Sequence, residues 1–339
     1  MIIPVQRASD TKRGSMRHIM NSLLAAASAG RSLSPEEAAT LAGLLPGVLP
    51  DLLAAAGAAR LAGGSSPFTC GIINAKSGRC GENCAFCAQS RYHNTAATVH
   101  PLVSSEKLLN RAENLAKAGV SYMGVVTSGG APSGRDFERI CRAAEGISRT
   151  VGIRLCASLG LLTDEQALAL KQAGFTSYHH NLESGRSHFS RVCTTHSYDQ
   201  RVETVKKARS AGLRTCSGGI FGLGESWSDR LELALALREL EVDSIPVNFL
   251  NPIPGTPLEH APGLDAREAL AVIALFRLVH PGRDIVVCGG RARALGQWEN
   301  SLFFAGANGL MVGDYLTVAG SPFARDMAML QTLGLISHA

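Results

Sequence analysis

The sequence predicts an α/β protein, a (β/α)8 TIM-type barrel with an N-terminal helical extension. Three observations carry that expectation. Eight short apolar or alternating runs follow residue 64, segments of helical periodicity separate them, and no Pro-, Gly- or Ser-rich linker divides the chain. A doubly wound open sheet is the competing arrangement, but the glycine-rich dinucleotide fingerprint expected of it is missing. The 339 residues exceed the usual single domain, and barrels commonly run to about 250 residues or more. We therefore expect an extension over residues 1–64, the barrel over 65–320, and a C-terminal helix and tail over 321–339.

Each element has a local reason. Residues 1–64 read as Ala/Leu-rich helices, and Ser34-Pro35-Glu36-Glu37 is a helix start with Ser as cap and Pro at the first position. The candidate strands are 68–74, 121–126, 153–158, 177–183, 214–220, 244–250, 284–288 and 309–312. Helical periodicity falls near 105–118, 135–149, 164–173, 198–211, 227–240, 266–279, 293–304 and 323–333. Thr163-Asp-Glu-Gln166 and Ser197-Tyr-Asp-Gln200 are capping boxes, and Gly119, Gly174 and Gly212 each end an Ala-rich stretch.

Composition excludes several classes of function. There are 33 basic and 28 acidic residues, a net charge of +5, with no basic run or aromatic-basic stripe to bind nucleic acid. The longest apolar region, 38–64, is broken by Pro46, Pro50 and Asp51, so it is not a membrane span. Lys12, Arg13 and Arg17 precede an apolar stretch at 23–29 and loosely resemble a signal peptide. Asn21 and Ser22 shorten that stretch. Nine cysteines, three of them within eight residues, favour metal ligation in a reducing compartment over disulfides. The expectation is a cytoplasmic protein whose start is a frayed or helical extension.

The cysteine triplet holds the most chemical information. Cys80-Gly-Glu-Asn-Cys84-Ala-Phe-Cys87 follows the first candidate strand, on the face where barrels carry their active sites. A [4Fe–4S] cubane normally takes four cysteines; three leave one iron open for another ligand. Structural zinc prefers four protein ligands and commonly paired CxxC knuckles, and no fourth cysteine follows nearby. Iron–sulfur is favoured; a non-catalytic zinc-binding barrel remains the alternative from another class.

CxxxCxxC with Phe86 before its last cysteine is the radical S-adenosylmethionine (SAM) signature. The wider stretch Asn74-Ala-Lys-Ser-Gly-Arg-Cys80-Gly-Glu-Asn-Cys84-Ala-Phe86-Cys87-Ala-Gln-Ser90 resembles the biotin synthase family. So do His180-Asn-Leu-Glu183, Thr194-Thr195 with Tyr198 and Arg201, and Cys216-Ser-Gly-Gly-Ile-Phe-Gly-Leu-Gly-Glu225. Pro246-Val-Asn248, Gly255-Thr-Pro257, Gly290-Arg291 and Ala305-Gly-Ala-Asn308 extend the resemblance over about residues 65–320. It implies a [4Fe–4S] cluster on Cys80, Cys84 and Cys87 whose open iron chelates SAM. Electron transfer would cleave SAM to a 5′-deoxyadenosyl radical that abstracts hydrogen from two carbons of dethiobiotin. An auxiliary cluster would then supply the bridging sulfur of biotin. The resemblance also implies a reducing partner such as flavodoxin or ferredoxin, and a homodimer.

The resemblance further implies site residues. Period-two alternation over 177–183 puts His179, Asn181 and Glu183 on one face, too polar for a simple core layer. Asn181 and Glu183 match positions that bind the SAM ribose, and Asn181 also lies near the substrate. Phe86 belongs to the same cofactor site, Arg201 matches a position that pairs with the SAM carboxylate, and Asn248 one that bonds the substrate's ureido ring. The auxiliary cluster, [2Fe–2S] in the common form, takes three cysteines and an arginine. Cys156, Cys216 and Arg291 match three of those positions, and the fourth falls on Met123, a poor substitute for thiolate. Cys70 and Cys288 are placed to compensate, in a variant [4Fe–4S]-like cluster with Cys156, Cys216 and either Cys288 or Arg291. Cys141 and Cys193 have no assigned role. A hydrogenase-maturation or methylornithine-synthase relative sharing this barrel stays open as the rival reading.

Overall fold

The computed structural model describes residues 20–45, 47–64, 66–131, 134–317 and 320–336. The basic residues Lys12, Arg13 and Arg17 lie outside the described residues. Among the described residues, nine parallel strands form the sheet: β1 (Phe68–Lys76), β2 (Tyr122–Thr127), β3 (Arg154–Ser158), β4 (Phe175–His179), β5 (Arg214–Cys216), β6 (Gly219–Phe221), β7 (Ser244–Phe249), β8 (Asp284–Val287) and β9 (Gly309–Met311). Pairing runs from β5 through β4, β3, β2 and β1 to β9, β8, β7 and β6. Cys216 of β5 also pairs with Ser244 of β7, which closes the ring. The open-sheet alternative is excluded.

The expected eight staves are present, but the fifth is broken. Gly218 and Gly219 explain the break: a Cβ on Gly218 would meet the Pro246 carbonyl at 2.0 Å, and one on Gly219 the Glu183 carbonyl at 2.5 Å. The fourth strand is also shorter than expected, because it ends at His179 and Glu183 turns to φ +71°. Only a bridge between Glu183 and Gly219 continues the pairing. The helix expected over 293–304 becomes a short α-helix, Arg291–Leu295, followed by a 3-10 stretch, Gly296–Leu302, with Gly296 at φ +52° between them. A seven-residue helix, Arg186–Val192, was not expected. Elsewhere the local signals hold: the capping boxes at Ser34, Thr163 and Ser197 all form.

The N-terminal extension packs onto the barrel. Helix Leu49–Ala62 lies against helix Ala266–Val279, whose residues from Ala269 onward are all buried. An almost continuously apolar helix needs cover on both faces, and the barrel and the extension supply it. The charged side chain in its last turn, Arg277, is wholly buried. It donates to the carbonyls of Gly306, His280, Pro281 and Arg283 and to Asn308 Oδ1, at 2.7–3.2 Å. These acceptors precede β8 and β9, so Arg277 ties together the barrel end opposite the strands' C-termini. No helix among the described residues is long and apolar enough to cross a membrane.

Two outcomes follow for stability. Arg277→Met removes the guanidinium donor from all five acceptors, of which only Asn308 Oδ1 and the His280 carbonyl keep a backbone N–H, and lowers unfolding free energy by about 3 kcal/mol or more, read by urea denaturation, while leaving iron uptake intact. Burial pushes His280 down to about 3, so it stays neutral in the fold and protonates first in the unfolded chain. Its contribution is complete above pH 6.5 and is lost as pH falls toward 3. Native protein therefore loses about 2 kcal/mol more than His280→Phe between pH 7 and pH 5.

Candidate active site

The cysteine loop leaves β1 and folds onto itself. Cys80 N–H donates to the Gln89 carbonyl, Arg91 N–H to that of Cys80, and Cys87 N–H to that of Cys84. The loop is also held from outside: Ala85 N–H donates to the Val192 carbonyl at the end of the unexpected helix. Asn83 is the staple. Its Nδ2 donates to Thr194 Oγ1 at 2.7 Å, and its Oδ1 accepts from the amides of Thr194 and Thr195 at 2.9 and 3.3 Å. Cys84 is buried and the other two sulfurs partly so. Burial, reinforced by Cys80, pushes Cys87 up to about 11.

A second group of cysteines lies inside the barrel. Cys70, Cys156, Cys216 and Cys288 line one cavity of about 240 Å³. Burial pushes Cys156 up to about 12 and also raises Cys216; a hydrogen bond to Cys70 and burial together raise Cys288. His179 faces the same space, its Nδ1 3.4 Å from Cys216 Sγ, and burial pushes it down to about 4. Such a set binds metal by surrendering protons that burial otherwise holds on the sulfurs. Among the described residues, no three of these four sulfurs, and no three in the loop, lie within 4.8 Å of one another. As placed, neither set converges on a single tetrahedral ion.

A polar wall stands between the two groups. Asn181 Oδ1 accepts from Gly218 N–H at 3.1 Å, in the break between β5 and β6, and Asn181 Nδ2 donates to Glu183 Oε2 at 3.3 Å. Both line the cavity, as do Phe86 and Asn248. Arg201 stands behind them, donating to the Asn181 carbonyl at 2.8 Å and to Glu183 at 3.4 Å. Burial raises the Glu183 carboxyl and Arg201 opposes that shift. Asn248 Oδ1 accepts from Gly289 N–H and from the Tyr315 hydroxyl, while Nδ2 donates to the Gly219 carbonyl. This fixes the amide with one N–H left for a ligand. Phe86, Asn248, Cys288 and Tyr315 also line a second cavity of about 400 Å³ at the strands' C-terminal end, with Cys87 and Arg291.

Two expected positions differ. On β2 the residues facing the cavity are Tyr122, Gly124 and Val126, whereas Met123 is fully buried in the apolar core. The sequence reading was off by one residue, and on a strand one residue changes the face. Arg291 is not brought to the four cysteines. Its guanidinium pairs with the buried carboxylates of Glu299 and Asp326, the latter at 2.7 Å. Cys193 and His196 were missed, and both sit beside Cys84; with Cys84 their ligand atoms all lie within 4.8 Å. The spacing Cys193-Thr-Thr-His196 was the available signal. His196 Nε2 accepts from Arg201 Nε–H at 2.8 Å, so the ring proton sits on Nδ1, 2.6 Å from Glu82 Oε2. A protonated Nδ1 does not ligate a metal.

Residues 75–237 match the Radical SAM superfamily, and residues 246–336 the Biotin and Thiamin Synthesis associated domain. Biotin synthase of Nitratidesulfovibrio vulgaris strain Miyazaki F is 56% identical, over 89% of this chain and 86% of its own. That of Geobacter sulfurreducens is 55% identical, over 80% and 83%. The chain belongs to the biotin synthase family of radical SAM enzymes. Among solved structures, methylornithine synthase superposes with a TM-score of 0.80 at 19% identity, covering 94% of this chain and 97% of that one. The hydrogenase maturase HydG of Carboxydothermus hydrogenoformans does so at 0.79 and 16%, covering 96% and 80%. At these identities the likeness is one of fold, so the barrel alone does not separate the rival readings; the close sequence relatives do.

Membership of this family implies a SAM-binding [4Fe–4S] cluster, and the open triplet of thiols fits one. Because Asn83 joins the cysteine loop to residues 194 and 195, Asn83→Ala loosens both. The expected result is faster amide exchange at Ala85 and Thr194 and a loss of about 1–2 kcal/mol locally, measured by hydrogen exchange. Unchanged exchange at both amides contradicts the stapling role.

Proposed function

We propose that this chain inserts sulfur into dethiobiotin to give biotin. Cys80, Cys84 and Cys87 hold the SAM-binding cluster, and a second cluster, ligated by Cys70, Cys156, Cys216 and Cys288, donates the sulfur. The observation that carries this reading is one cavity lined by Cys70, Cys156, Cys216 and Cys288 together with Asn181, Glu183 and Phe86, the last from the loop of the cysteine triplet. When bound, the first cluster and SAM supply a 5′-deoxyadenosyl radical able to take hydrogen from unactivated carbon. The electrons come from a one-electron carrier of low potential, the class to which flavodoxin and ferredoxin belong.

The chain's own residues bind, orient and shield. Phe86 and the Asn181–Glu183 pair, backed by Arg201, face the nucleoside end of SAM, with Glu183 accepting from ribose hydroxyls. Asn248 offers its remaining amide N–H to the ureido carbonyl of the substrate, and Asn181 lies beside the same ligand. The barrel wall excludes water, which keeps a reactive radical on its intended carbons. The choice of Cys288 over Arg291 as fourth ligand of the sulfur-donating cluster rests on two facts: Cys288 lines the same cavity as the other three cysteines, and the Arg291 guanidinium is taken by two carboxylates.

The test is an anaerobic assay of reconstituted protein with SAM, reductant and dethiobiotin. Biotin and 5′-deoxyadenosine together support the proposal; deoxyadenosine without biotin overturns it. Cys288→Ala is expected to keep SAM cleavage within about threefold while biotin formation falls at least a hundredfold, since thiolate ligation is lost at one cluster only. Arg291→Met is expected to lower stability through Glu299 and Asp326 without removing either cluster, checked by iron content and thermal denaturation.

A further inference from the structure

We infer that Cys193 is a positioning residue for the SAM-binding cluster: its thiol donates a hydrogen bond to the Cys84 sulfur and raises the cluster's reduction potential. The inference rests on the proposed ligation of that cluster by Cys84.

The geometry begins with helix Arg186–Val192, which ends at Cys193, where Cys193 N–H donates to the Phe189 carbonyl. That contact, with the Ala85–Val192 bond, sets the Cys193 side chain against the cysteine loop. Its sulfur is buried and lies within 4.8 Å of Cys84 Sγ. It also lies 3.3 Å from each of Asn83 Oδ1, Thr195 Oγ1 and His196 Nδ1. These neighbours compete poorly for its proton. Asn83 Oδ1 already accepts two backbone N–H groups, and His196 Nδ1 carries a proton of its own. The Thr195 hydroxyl is engaged as well, giving its proton to Glu82 at 2.5 Å and accepting from Asn83 N–H.

An iron-bound Cys84 sulfur is an anionic acceptor, and hydrogen bonds to charged acceptors are the stronger ones. The Cys193 S–H therefore points to Cys84. Hydrogen bonds to cluster sulfurs help set the potential, and one that stabilises the more negative, reduced state raises it. His196 supports the arrangement from behind, held by Glu82 on one nitrogen and by Arg201 on the other. Because Arg201 also binds Glu183 and the Asn181 carbonyl, the cysteine loop and the polar wall share one network.

Anaerobically reconstituted native protein, Cys193→Ala and Cys193→Ser are compared by redox titration and by electron–nuclear double resonance in D2O. In Cys193→Ala the ratio of reduced to oxidised cluster at a fixed ambient potential should fall about tenfold, or about 59 mV for a one-electron couple. An exchangeable deuteron coupled to the reduced cluster should disappear in Cys193→Ala and persist in Cys193→Ser. Equal potentials in native protein and Cys193→Ala overturn the inference. So does a deuteron signal that Cys193→Ala does not alter. Loss of iron from the triplet in both variants also overturns it, because Cys193 is then a ligand. Native protein that takes up no cluster with a SAM-responsive signal refutes the parent reading instead.

Discussion

Burying sulfur and charge inside a closed parallel barrel is the constraint from which the rest of this structure follows. The backbone of a closed sheet is already hydrogen-bonded, so interior side chains must satisfy themselves or bind something. Cys156 and Cys216 are held in their protonated state by burial, and His179 is held neutral. An interior lined in this way makes a poor apolar core, but it is ready to exchange protons for metal. The break between β5 and β6 serves the same end, because it lets Asn181 reach a backbone amide that an unbroken stave would have used.

The two ends of the barrel carry different tasks. Toward the strands' C-termini the contacts are those of the site: Asn83 across the cysteine loop, Arg201 behind Glu183, and Tyr315 against Asn248. Toward their N-termini, Arg277 gathers carbonyls from the segments entering β8 and β9. Both arginines are buried, and only Arg201 stands behind residues that line the cavity. Arg291 belongs with the structural set, since its two carboxylate partners come from the segment after β8 and from the C-terminal helix.

Most of the fold was legible because its signals are local. Apolar runs, capping boxes at Thr163 and Ser197, and glycines after helices depend on neighbours in sequence, and they placed nearly every strand and helix. The break at Gly218 was not legible, because it reflects the approach of Pro246 from another strand. The triplet Cys80, Cys84 and Cys87 declares itself by spacing. The interior group was recognisable only residue by residue, and there a shift of one position put Met123 where Tyr122 stands. Arg291 was misplaced for a related reason: whether a side chain just past a strand turns inward depends on which carboxylates fold beside it. Cys193 and His196 escaped notice because their meaning lies in a contact more than a hundred residues away in sequence.

The central claim is that the two cysteine groups are separate metal sites within one barrel. Mössbauer spectroscopy of 57Fe-reconstituted protein in which Cys80, Cys84 and Cys87 are all replaced by alanine tests it most directly. The account predicts that the cluster held by Cys70, Cys156, Cys216 and Cys288 remains, with its own spectrum, and that the SAM-responsive component is absent. A triple variant that folds with native stability but retains no iron would contradict the account.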